Sequence, residues 1–279
     1  MFNRTLFTFC IGLLVSLPAS AFDFDFQKAL DLAKSVQQAN KTIGEPEEIE
    51  IGHGIATNLL GASSLLPDKK VQQYVNQVGR WLSLHTERPD LPWQFGVLDS
   101  TDVNAFATPG GTIFITNGLL QRLNNESELA GVLAHEIVHV LRKHHLAALQ
   151  KAARMDIASE LAGEALKGKA DSAVLDKAIK AGTEVYARGL DKDDEFEADR
   201  MGIVIATRAG YDPFGLPAVL QMLDAMNAQD SSLALMFKTH PAPHDRLGLL
   251  DKEMGDRFEA YAAPAQTDKR FNNEIALRK

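Results

Sequence analysis

The sequence predicts a mainly helical α+β domain with a small antiparallel sheet. Three observations carry this. Apolar residues recur at helical spacing over Lys69–His85, Asn125–His145 and Asp194–Ala209. Only two short stretches, Trp93–Leu98 and Thr112–Thr116, have strand composition. A Pro109-Gly110-Gly111 turn stands directly before the second of them.

Each element has its own warrant. Residues 1–21 combine Arg4, an apolar run from Leu6 to Leu17 and the small-residue end Ala19-Ser20-Ala21, which reads as a cleaved secretory signal peptide. Residues 22–279 are then expected to form a single domain. Residues 22–44 suggest a short helix, and Glu47–Leu60 another. Lys69–His85 sets Val71, Val75, Val78 and Leu82 on one face. Pro89 and Pro92 break the chain before the first strand. Asn125 suits an N-cap, with Glu128 three residues on as its capping-box partner. Residues 146–190 are Ala-rich and expected to be helical, with a break at Gly168. They bridge two helices and are placed to form a lid or plug. Asp194–Ala209 is closed by Gly210 and Asp212-Pro213. Pro217–Ala228 continues as helix, and Thr239–Pro243 is a stiff loop. From about residue 251 the pattern weakens into an expected loose tail.

The 279 residues carry 29 Lys+Arg against 37 Asp+Glu, a net charge of −8. That balance argues against nucleic acid as a partner, since phosphates need a basic face. No stretch after the leader is apolar enough to span a bilayer. The lone cysteine, Cys10, lies inside the leader. A metal would therefore be held by histidine and carboxylate.

The helix Asn125–His145 contains His135-Glu136-Ile137-Val138-His139. Histidines at i and i+4 share a helix face, so both imidazoles can reach one ion. Glu136 sits off that face, yet can reach the water position as a general base. A third protein ligand is needed. Glu195 and Asp199, again i and i+4, supply a ligand and a carboxylate to hold one histidine ring, while Glu197 points elsewhere. Spacing leaves open which of His135 and His139 is held by Asp199.

Four ordered blocks extend this reading. They are Asn104-Ala-Phe-Ala-Thr-Pro-Gly-Gly with Ile113-Phe-Ile-Thr-Asn-Gly-Leu-Leu, then ESELAGVLAHEIVHV, then EFEADRMG, then Lys238-Thr-His-Pro-Ala-Pro with Arg246. On these blocks the chain resembles the zinc metallopeptidase family of HtpX, the CAAX prenyl endopeptidases and BepA, over about Glu45–Leu250. The resemblance implies a zincin-like fold and one Zn2+ per chain on His135, His139 and Glu195. It implies Glu136 as catalytic base. His240 would either fill the fourth zinc position in a latent state or stabilise the oxyanion. Arg246 would neutralise developing charge or pair with a carboxylate. The match is closest to the soluble periplasmic branch, without a repeat domain. Expected partners are unfolded or extended polypeptides and the envelope assembly machinery, in protein quality control. Thr112, Ile113, Phe114 and Ile115 are read as an edge strand that grips substrate backbone, with Asn104 and Ala105 in the same groove. The remaining histidines, His53, His85, His144, His145 and His244, read as solvated or structural. A rival class is a chaperone or binding protein with a structural zinc, for which Glu136 has no use.

Overall fold

A computed structural model describes residues 42–152, 189–227, 229–262 and 268–275. The leader, the helix at 22–44 and most of the expected lid at 146–190 lie outside the described residues. The chain opens with helices α1 (Glu45–Ala62) and α2 (Lys69–Ser83). Three strands follow: β1 (Gln94–Leu98), β2 (Ala105–Thr108) and β3 (Thr112–Thr116). Then come a single turn α3 (Asn117–Leu120), the central helix α4 (Glu126–Leu141), and α5 (Lys192–Arg208). Helices α6 (Gly215–Asp224), α7 (Ala234–Thr239), α8 (Pro243–Met254) and α9 (Asp268–Glu274) complete the order. Among the described residues no helix is long and apolar enough to cross a membrane.

The expected mainly helical α+β architecture is present, but the sheet is mixed rather than antiparallel. Its order is β1-β3-β2, with β1 parallel and β2 antiparallel to β3. The reason is β2, a strand not expected from the sequence, whose first residue, Ala105, is read there as part of a groove. It reverses the chain, and the Pro109-Gly110-Gly111 turn reverses it again. Gly110 (φ 80°) and Gly111 (φ 105°) supply the left-handed backbone that this turn requires.

This topology corrects the expectation for Thr112, Ile113, Phe114 and Ile115. Their strand is central, paired on both sides and buried throughout. It has no open edge for a substrate. The outer edge of β1 is covered as well. Phe95 N–H donates to Asn76 Oδ1 (3.1 Å), and Val97 N–H donates to Gln72 Oε1 (2.9 Å). Gln72 Nε2 returns a bond to Val97 C=O (2.8 Å). Two side-chain amides of α2 thus stand in for a fourth strand. The outer edge of β2, which packs beside α4, remains.

Helix α4 is buried along its whole length, its polar residues Glu126, Glu128, His135, Glu136 and His139 included. Asn125 Oδ1 accepts from Glu128 N–H (2.9 Å), and the Glu128 carboxylate accepts from Asn124 N–H (2.7 Å). The capping box forms, shifted back by one residue. Helix α5 lies close against α4: a Cβ at Gly202 would stand 3.0 Å from the His135 backbone nitrogen. That approach lets the acidic first turns of α5 reach the histidines.

The described end of the expected loose tail, residues 268–275, is instead docked. Phe271 and Ile275 are fully buried, and Phe271 meets Tyr74 edge-on at 6.4 Å. Arg270 pairs with Glu126, a buried carboxylate that also accepts from Tyr74 (2.7 Å) and Tyr211 (2.9 Å). The first residue of α4 is thereby tied to α2, α9 and Tyr211 beyond α5.

A second buried carboxylate makes a pH prediction. Glu48 is fully buried between Arg88 (2.9 Å) and Lys143 (2.7 Å). Burial opposes its ionisation, but the hydrogen bonds and charges of Arg88 and Lys143 outweigh it, so its pKa lies below the ordinary value. A depressed folded-state pKa means stability that is present above about pH 4.5 and is lost as pH falls through the folded value. The melting-temperature gap between wild type and Glu48→Gln should therefore narrow as the pH is lowered below about 4. A gap constant from neutral to acid pH would show that Glu48 does not act through its charge.

Candidate metal centre

Helix α4 delivers His135 and His139 to one face, as their spacing dictates, and α5 delivers Glu195 opposite them. The two Nε2 atoms lie 3.0 Å apart. Glu195 Oε2 is 3.6 Å from His135 Nε2, and Glu195 Oε1 is 3.7 Å from His139 Nε2. All three residues are buried, and one ligand atom from each falls within 4.8 Å of the others. Burial lowers the pKa of both histidines and raises that of Glu195. Neutral imidazoles result, as metal ligation requires.

The charge pattern tests whether a cation belongs here. Asp199 Oδ1 lies 2.9 Å from His135 Nδ1. Burial would raise the Asp199 pKa, but Arg246 beside it holds the carboxyl well below the usual range. An ionised carboxylate only accepts, so His135 carries its proton on Nδ1 and presents a bare Nε2. Glu195 Oε2 is buried with no hydrogen-bond partner among the described residues. A bare nitrogen and an unpartnered carboxylate oxygen thus face one point, an arrangement that a cation stabilises and that otherwise costs free energy. Two imidazoles and one carboxylate suit zinc with one position open.

The geometry resolves what spacing left open. Asp199 serves His135. Arg246 Nε donates to Asp199 Oδ2 at 2.8 Å, so the guanidinium takes the carboxylate-pairing role of the two expected for it. Glu136 has a carboxylate oxygen within 4.8 Å of a His135 ring nitrogen and lines a cavity with Asn104, Ala105, His135, His240 and Arg246. Burial pushes its pKa up to about 8, against the opposing charge of Arg246 and the Ala107 N–H that its carboxylate accepts. His240, on the loop after α7, reaches the same centre: its Nε2 is 3.7 Å from Glu195 Oε2. His135, Glu136 and His240 form a second group with metal-ligand spacing. Asn104 is buried, and its Nδ2 has no hydrogen-bond partner among the described residues.

Sequence reading missed two residues beside the centre. His144 Nδ1 lies 3.0 Å from His139 Nδ1, and His144 Nε2 lies 3.3 Å from Glu197 Oε2. His145 is also brought in, its ring 5.3 Å from that of His139. The expected helix through His145 hides this. In a continuous helix His144 would point about 140° away from His139. The helix instead ends at Leu141, and Lys143 takes the left-handed backbone (φ 59°), which folds His144 back. Nothing in the spacing announces that break at a lysine.

Comparison with known proteins places the chain among metallopeptidases. The model of peptidase family M48 matches residues 68–254. The chain is 32% identical over 215 residues to the beta-barrel assembly-enhancing protease of Escherichia coli (strain K12), covering 75% of this chain and 44% of the relative. It is 30% identical over 250 residues to a putative beta-barrel assembly-enhancing protease of Vibrio cholerae, covering 88% and 51%. It is 26% identical over 181 residues to the mitochondrial metalloendopeptidase OMA1 of Schizosaccharomyces pombe, covering 64% and 52%. The chain spans about half the length of these relatives.

Proposed function

The chain belongs to peptidase family M48, and on that premise we propose that it is a zinc-dependent endopeptidase acting on unfolded or misassembled envelope proteins. The observation that carries this reading is the convergence of His135 Nε2, His139 Nε2 and Glu195 on one point, with Glu136 beside it. His135, His139 and Glu195 would hold the zinc. When bound, zinc supplies Lewis acidity to the scissile carbonyl and to the attacking water. Glu136, as a carboxylate, accepts the water's proton and delivers it to the leaving amine; burial raises its pKa, which makes the ionised form a stronger base. Asp199 fixes the His135 ring, and Arg246 fixes Asp199. The Asn104 amide donates to the substrate backbone, which lies along the β2 edge at Ala105. The apolar wall of Val132, Leu216, Val219 and Leu220 accepts a substrate side chain.

His240 holds the enzyme partly latent, so that its resting activity is low rather than absent. The two cavities that His240 lines are about 50 Å³ and about 20 Å³, too small for an extended peptide unless its loop moves. The sequence of residues 1–21 supports export to the periplasm, and the names of the Escherichia coli and Vibrio cholerae relatives support a role in β-barrel assembly. Zinc-loaded protein is expected to cleave casein, a chelator to stop cleavage, and His240→Ala to raise its rate. Cleavage that a chelator leaves untouched would overturn the zinc reading. A lower rate in His240→Ala would assign that histidine the oxyanion role instead.

A further inference from the structure

We propose that Glu197 and His144 form a relay that fixes the tautomer of His139, and so set how strongly the centre holds its metal. The inference rests on the zinc reading above. A neutral imidazole carries one N–H, and a carboxylate only accepts. Glu197 Oε2, 3.3 Å from His144 Nε2, requires the His144 proton on that nitrogen. Asp194 Oδ1, 3.6 Å from the same atom, favours the same tautomer. His144 Nδ1 is then an acceptor, and the atom 3.0 Å from it is His139 Nδ1. His139 must donate there. Its Nε2 is left bare and directed at the point where His135 Nε2 and Glu195 converge. The opposite tautomer would put a proton on that point.

The relay is anchored at both ends. Arg142 Nε lies 3.0 Å from Glu197 Oε1, and His144 is buried beside His139. The two zinc-facing histidines are thus held differently: His135 directly by the buried Asp199, and His139 through a second imidazole by a partly exposed Glu197. Glu195, Glu197 and Asp199 each have a separate task, and Glu197 acts on the metal through two rings. His144 and Glu197 are positioning residues that touch no substrate.

The test uses the full chain, stripped of metal with a chelator. Proton–nitrogen NMR of the imidazoles reads the tautomer without metal, and competition with a chromophoric chelator reads zinc affinity. Wild type is expected to show His139 protonated on Nδ1. His144→Ala is expected to shift His139 toward the Nε2–H form and to weaken zinc binding by about 10–100-fold. His144→Asn, whose side-chain oxygen can stand where Nδ1 accepts, is expected to recover most of that loss. Glu197→Ala, at a partly exposed position, is expected to weaken zinc in the same direction. Wild-type His139 protonated on Nε2, or wild-type zinc affinity in folded Glu197→Ala and His144→Ala, would overturn the relay. The Nδ1–H tautomer in a protein with no zinc affinity would support the relay and overturn the zinc reading alone.

Discussion

Glu136→Gln is expected to lower casein cleavage by about 10²–10⁴-fold, with zinc content and melting temperature at the wild-type level. Glutamine keeps the size of the side chain and an oxygen for the Ala107 N–H, but it cannot take a proton from water. Glu136 stands outside the His135, His139 and Glu195 group, so the zinc donors are untouched. The variant also separates the two function classes. A chaperone or binding protein with structural zinc would keep its full activity in Glu136→Gln. Unchanged cleavage would remove Glu136 from the mechanism.

Asp199→Ala is expected to damage both the fold and the centre. It strands Arg246, which is buried, without the carboxylate that its Nε meets at 2.8 Å. Breaking a buried pair by removing one partner costs about 3–5 kcal/mol, read as a drop in denaturant midpoint of the metal-free protein. It also leaves the His135 ring unheld, which should weaken zinc by about 10–100-fold. The double variant Asp199→Ala/Arg246→Met tells the two effects apart. With no stranded charge it should recover much of the stability, while zinc binding stays weak. A single variant as stable as wild type would show that the pair contributes little.

The parts of the site that follow from helical spacing are legible in the sequence. His135 and His139 at i and i+4, and Glu195 and Asp199 at i and i+4, need only helices to be brought together in pairs. The long helices α2, α4 and α5 were legible as well, since apolar residues recur in them at helical spacing. What was hidden depends on non-local pairing or on a single backbone residue. Thr112–Thr116 reads as a good strand, and its composition does not say whether it is central or at an edge. That depends on β2, whose four residues Ala105–Thr108 carry too little pattern to announce a strand. His144 depends on Lys143 adopting φ 59°, a conformation that its neighbours do not signal. The docking of α9 depends on Phe271 finding Tyr74, and on Arg270 finding Glu126 some 144 residues away. Charge composition in the tail conceals those two anchors.

The account stands on one ion at one place. Crystals of the zinc-loaded protein, measured at the zinc absorption edge, should give a single anomalous peak per chain. It should lie among His135 Nε2, His139 Nε2 and the Glu195 carboxylate, with nitrogen distances of about 2.0–2.1 Å. No peak there, or a peak on other residues with this group bare, would contradict it.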